Sequence, residues 1–133
     1  MRVRDAMSPL ALTVGPGHTV REAARQMTAR GVGSAVVLDG DSEGPGIITE
    51  RDVLDLVGKG LDVDRELVAD HRTTSVTAAS PDWSLDEATD AMMRGGHRHL
   101  VVCEGAQVVG VLSVRDVVRA WGAARAGQEV VHP

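Results

Sequence analysis

Two stretches carry the residues best able to do chemistry, Gly46-Ile-Ile-Thr-Glu-Arg-Asp-Val53 and Gly110-Val-Leu-Ser-Val-Arg-Asp-Val117. Each sets a hydroxyl (Thr49, Ser113) three residues before a carboxylate (Asp52, Asp116), with an arginine (Arg51, Arg115) directly before the acid. A hydroxyl and an acid at this spacing suit a helix start, where they can form a reciprocal cap with Asp in place of the usual Glu. The same geometry suits a ligand. A carboxylate can accept both hydroxyls of a vicinal diol such as ribose, and helix N-terminal amides favour a phosphate. Capping accounts for the hydroxyl and the acid, but not for the glycine and the arginine that both stretches share. Arg51 and Arg115 fall in a first helical turn, where a cation opposes the helix dipole; an anion nearby would account for both, and so would solvation of each side chain.

A third group is His97-Arg98-His99. His97 and His99 would share one face of a strand, but no third metal ligand accompanies them and no metal site is expected. Cys103 is the single cysteine and lies in an apolar run, where a thiolate is disfavoured. No spacing suggests a nucleophile, base and orienting acid, and no Gly-x-x-x-x-Gly-Lys loop is present, so no catalytic residues are expected and the chain is not read as an enzyme.

The bulk properties narrow the classes further. The chain has 133 residues, 43% of them hydrophobic, enough for one compact core-bearing domain. Phe and Tyr are absent and Trp83 and Trp121 are the only aromatics; both are expected to pack or to meet a partner rather than stack a ligand. Without aromatic platforms, and with a net charge of −5, nucleic-acid binding is not expected. The N-terminus lacks the apolar core of a signal peptide and no apolar run approaches a membrane span, so a cytoplasmic protein is expected.

The elements that must position these residues occur twice. Val20-Arg-Glu-Ala-Ala-Arg-Gln-Met27 lies on Leu85-Asp-Glu-Ala-Thr-Asp-Ala-Met92 at a shift of 65 residues, and the same shift brings Pro16 onto Pro81, Gly31 onto Gly96 and Val36-Val37 onto Val101-Val102. Past Gly40 the shift becomes 64, and the two chemical stretches then superpose. A one-residue change in a polar turn is what a duplicated fold tolerates. In each copy an apolar stripe at helical spacing (Val20, Ala23, Ala24, Met27; Leu85, Ala88, Met92) predicts an amphipathic helix, capped by Thr19 or Ser84 and stopped by glycine. Short runs rich in β-branched residues then predict a hairpin. A second helix follows, with Val53, Leu54 and Val57, or Val117, Val118 and Trp121, expected to form an apolar patch. The expected layout is a first repeat over residues 1–60, a connector over 61–72, a second repeat over 73–122 and a loosely ordered tail over 123–133. Val3, Met7 and Leu10 are expected to pack on the second copy.

A β-α-β-β-α unit with Gly-h-h-[Thr/Ser]-x-x-Asp-h (h apolar), present twice, resembles the CBS domain, named after cystathionine β-synthase; the resemblance runs from about Val3 to Trp121. It implies an α+β fold in which the duplicated units pack sheet to sheet with pseudo-twofold symmetry, two clefts, and association into a homodimer. With nothing else fused, the chain resembles stand-alone CBS proteins of actinobacteria. The family implies a regulatory energy or stress sensor whose ligand is AMP, ADP, ATP or S-adenosylmethionine, with no required cofactor and an unidentified regulated protein as a further partner. By resemblance Arg98 and His99 reach phosphates, while copy one has Gly33-Ser34 there, so the clefts are expected to differ. Also by resemblance, backbone at Thr13-Val14 faces the Ser113/Asp116 cleft, backbone at Thr77-Ala78 faces the Thr49/Asp52 cleft, and Val32 adds a wall. The alternative is a protein-interaction module whose clefts bind no nucleotide.

Overall fold

The structure, a computed structural model, describes residues 1–9, 12–38, 45–73 and 78–131. In chain order it contains α1 (Val3–Ala6), β1 (Ser8–Pro9), β2 (Thr13–Val14), α2 (Val20–Arg30), β3 (Ser34–Val37), β4 (Gly46–Thr49), α3 (Glu50–Gly58), α4 (Val68–His71), β5 (Ala78–Ala79), α5 (Leu85–Gly95), β6 (His99–Glu104), β7 (Gln107–Ser113) and α6 (Val114–Val131). The α+β duplication expected from the sequence is present, each repeat contributing a strand, a helix, a hairpin and a second helix.

The chain divides into two units. One is Ala11–Val76, the first-repeat unit; the other joins Met1–Leu10 to Thr77–Pro133, the second-repeat unit. Residues 1–10, counted with the first repeat by position, therefore group with the second. Strand pairing is the reason. β1 lies antiparallel on β7 with Ser8 opposite Val111, and Val3 is fully buried in the core of the second-repeat unit, with Met7 against that core. Leu10 lies outside the described residues.

The first-repeat sheet runs β2-β3-β4, with β2 parallel and β4 antiparallel to β3. Its core is Val20, Ala23 and Met27 of α2 packed on Val14, Ala35, Val37 and Ile48 of the sheet, with Leu56 and Val68. The second-repeat sheet runs β1-β7-β6-β5, and Leu85, Ala88 and Met92 of α5 meet Ala79, Leu100, Val102 and Leu112, with Val117. The helical stripes read from sequence are thus the buried faces, as a period of 3.6 requires when one side of a helix meets a sheet. Thr19 accepts a hydrogen bond from Glu22 N at 3.2 Å, and Ser84 one from Glu87 N at 3.0 Å. Gly31 and Gly96 end α2 and α5 in the left-handed region, φ 65° and 66°, where a Cβ would be strained.

Residues 123–131 of the expected tail continue α6 as helix; Ala123, Ala124, Arg125 and Ala126 are strong helix formers. The expected apolar patch is also composed differently. Val117 is buried in the core and Val53 packs against the other core, while Leu54, Val57, Val118 and Trp121 stay exposed. Adjacent residues on a helix point about 100° apart, so Val53-Leu54 and Val117-Val118 cannot both face outward.

Candidate functional site

In each unit the candidate residues meet where the hairpin's second strand runs into the second helix. Thr49 ends β4 and caps α3. Its hydroxyl accepts from Asp52 N at 3.3 Å, while Asp52 Oδ2 accepts from Thr49 N at 2.8 Å and from Thr49 Oγ1 at 3.0 Å. Ser113 does the same for α6, accepting from Asp116 N at 3.1 Å and donating its own N–H to Asp116 Oδ2 at 2.9 Å. The capping reading of both motifs is therefore realised.

The second oxygen of each acid distinguishes the repeats. Asp52 is half-buried, and its Oδ1 has no hydrogen-bond partner among the described residues. Asp116 is 6% exposed, and its Oδ1 accepts from the Ser8 hydroxyl at 3.3 Å and lies 3.7 Å from an Arg119 guanidinium nitrogen. Each acid thus caps with one oxygen and turns the other elsewhere. Asp52 offers an open acceptor, and Asp116 offers one already shared.

The glycine common to both motifs has a packing cause. A Cβ on Gly110 would stand 2.5 Å from the Ser8 carbonyl oxygen, and one on Gly46 would stand 3.2 Å from that of Thr73. In each unit a short segment crosses this glycine closely: Ser8 and Pro9 pair with β7, and Thr73 exchanges two backbone hydrogen bonds with Ile47. Close backbone approach selects glycine at both positions.

The hairpin brings the main chain of Arg98 and His99 to the start of α6 in their own repeat. His99 lies opposite Ser113 in the β6–β7 register, and Val114 N donates to the Arg98 carbonyl at 3.0 Å. The main chain of Arg98 and His99 thus lies beside the helix start that carries Ser113, Arg115 and Asp116, while Arg98 lines a groove with Val114, Val118 and Trp121. In the first-repeat unit the corresponding contacts are Ser34 opposite Thr49 and Glu50 N donating to Gly33 O at 2.9 Å. Arg51 and Arg115 are exposed in the first turns of α3 and α6.

The residues expected near a base are placed unevenly. Thr13 is exposed, whereas Val14 is buried in the first-repeat core and its carbonyl accepts from Leu38 N at 3.1 Å. Val32 packs against the same core, and Ala78 is exposed at the start of β5. Thr77 lies outside the described residues. Burial pushes the Cys103 thiol up, in keeping with an inert side chain on β6. Sequence reasoning missed Ser8, Arg119 and Glu50. Arg119 was legible as the i+3 neighbour of Asp116. Ser8, 108 residues from the acid, gave no local signal.

The CBS domain family model matches residues 3–59 and 68–123. An uncharacterized 17.7 kDa protein of Acidianus ambivalens is 35% identical over 120 residues, which cover 90% of this chain and 72% of that protein. Among solved structures, a CBS-domain containing protein from Agrobacterium tumefaciens superposes with a TM-score of 0.78 at 31% identity, over 90% of this chain and 98% of that one. A CBS domain protein from Pyrobaculum aerophilum complexed with AMP superposes with a TM-score of 0.77 at 28% identity, over 87% and 89%. With two matched copies that together take in the strands, helices and acid motifs described above, the chain belongs to the CBS domain family.

Proposed function

We propose that this CBS pair is a regulatory module that binds an adenine nucleotide and passes its occupancy to its own dimer or to a partner protein. Asp52 and Asp116 hold the ribose diol, Thr49 and Ser113 stand beside it with Arg51 in the first turn of α3, and Arg115, Arg98 and His99 meet phosphate. Main chain at Thr13-Val14 and Thr77-Ala78, with Val32, serves the base. The observation that carries this reading is the hairpin register that sets the main chain of Arg98 and His99 beside the Ser113–Asp116 cap, in a chain 28% identical to a protein solved with AMP. Two arginines, a histidine and amide donors at a helix N-terminus suit phosphate, and a carboxylate oxygen with an unused lone pair suits a hydroxyl.

A second reading, an interaction module with empty clefts, draws on the caps themselves, since both acids already have a structural task. A thermal-shift panel of AMP, ADP, ATP and S-adenosylmethionine, with and without Mg²⁺, separates the two. A ligand at a hundredfold over its Kd adds about 2.7 kcal/mol, a rise of several degrees for a chain of this size. Melting points unmoved by every compound at millimolar concentration would sink the nucleotide reading and leave the interaction module.

A further inference from the structure

The repeats are most unlike at the point where the hairpin meets the second helix. In the second-repeat unit Arg98 leaves the backbone beside the apolar Val114, and both line one groove with Val118 and Trp121. Arg98 and Arg115 form no ion pair among the described residues, and Asp116 is the one carboxylate in that first turn. In the first-repeat unit the equivalents of Arg98 and Val114 are Gly33 and Glu50. A Cβ on Gly33 would lie 3.2 Å from Glu50 Oε1 and 3.4 Å from Oε2. The Glu50 carboxylate thus covers the place from which Arg98 departs in the other repeat. One helix start has Arg98 and Arg115 flanking a first turn whose single acid, Asp116, Arg119 approaches at 3.7 Å; the other has Glu50 and Asp52 in its first turn with Arg51.

We infer that the two acids serve adenosine ligands of opposite 5′ charge, with Glu50 as the residue that decides. The Ser113/Asp116 site takes adenosine 5′-phosphates. The Thr49/Asp52 site takes adenosine derivatives whose 5′ substituent is neutral or cationic, a thioether or a sulfonium. This rests on the nucleotide reading above. A phosphate at the Thr49/Asp52 site would face two carboxylates with no arginine at position 33 to offset them, and like charges at short range disfavour binding. The diol has no such obstacle, because Asp52 Oδ1 is open.

Calorimetry on the full chain tests this with AMP and 5′-methylthioadenosine as probes. Each should bind at one per chain, and saturating AMP should leave the affinity for methylthioadenosine within about twofold, as independent sites require. Asp52→Asn should weaken methylthioadenosine roughly ten- to a hundredfold and spare AMP, and Asp116→Asn should do the reverse. Glu50→Gln should admit a second AMP per chain. Arg98→Ala should weaken AMP alone. Glu50 and Arg98 are exposed, so these two variants test the inference even if the buried Asp116 proves intolerant of change. Direct competition between the probes, loss of both in Asp52→Asn, or a Glu50→Gln chain that still binds one AMP would overturn it. If wild type binds neither probe, the nucleotide reading falls as well; competition at a single site overturns the charge assignment alone.

Discussion

Asp52 and Asp116 hold equivalent positions, and at the residue scale the question is how much of each carboxylate its cap consumes. One oxygen of each accepts the backbone N–H of the capping residue, at 2.8 and 2.9 Å. An amide oxygen can take that place, so Asp→Asn should change the stability of the ligand-free chain by about 1 kcal/mol or less, mainly the lost dipole interaction. Asp116→Asn should sit at the upper end, because it also gives up Arg119 at 3.7 Å from a nearly buried oxygen. Binding of the adenosine ligand that each acid holds should respond more strongly. Asn presents a donor toward a hydroxyl that needs an acceptor, and a broken charge-assisted hydrogen bond costs about 1.5–3 kcal/mol. A 2′,3′-dideoxy nucleotide provides the control: it should bind wild type weakly and lose little more in the Asn variant. If the dideoxy compound binds wild type as well as its parent does, the acids are caps and nothing else.

At the scale of elements, a short segment lies across the hairpin's second strand in each unit. β1 is two residues long and depends on an approach to β7 so close that Gly110 has no room for a methyl group, its Cβ falling 2.5 Å from the Ser8 carbonyl. Gly110→Ala should therefore cost about 1–3 kcal/mol, the range for forced overpacking, and should loosen Ser8 from Asp116. Gly122 offers the opposite case. It lies within α6, and a Cβ there would meet nothing within 4 Å. Gly122→Ala should raise stability by about 0.5–1 kcal/mol and increase helicity. Urea melts with circular dichroism measure both, and a Gly122→Ala chain with unchanged helicity would contradict an α6 that runs on to Val131.

At the scale of the whole molecule, both second helices present apolar side chains to solvent. Leu54 and Val57 on α3 are 70% and 56% exposed, and Val118 and Trp121 on α6 are 57% and 51% exposed, with Met93 of α5 nearby in the same groove. Exposed apolar helix faces of this kind mark an interface, and we expect a homodimer that buries them. Light scattering should give twice the 14.0 kDa chain mass, and Trp121→Glu or Val118→Glu should return it to one. A monomer at tens of micromolar in wild type would count against the dimer. The duplication, the helical stripes, the glycine stops and the capping motifs were all legible in the sequence, because each rests on neighbours within a few residues, where spacing dictates geometry. The candidate site was legible to the same extent: hydroxyl, acid and arginine lie within one helical turn, and Arg98 and His99 reach Ser113 through a hairpin whose register follows from the two strands. The packing of Val3 and Met7 on the second repeat was also expected from the sequence. Tertiary structure alone decided what comes from a distance: it placed Ser8 on Asp116 and Ser8 across Gly110. Those contacts depend on which backbone crosses which, and local periodicity carries no information about crossings between segments far apart in the chain.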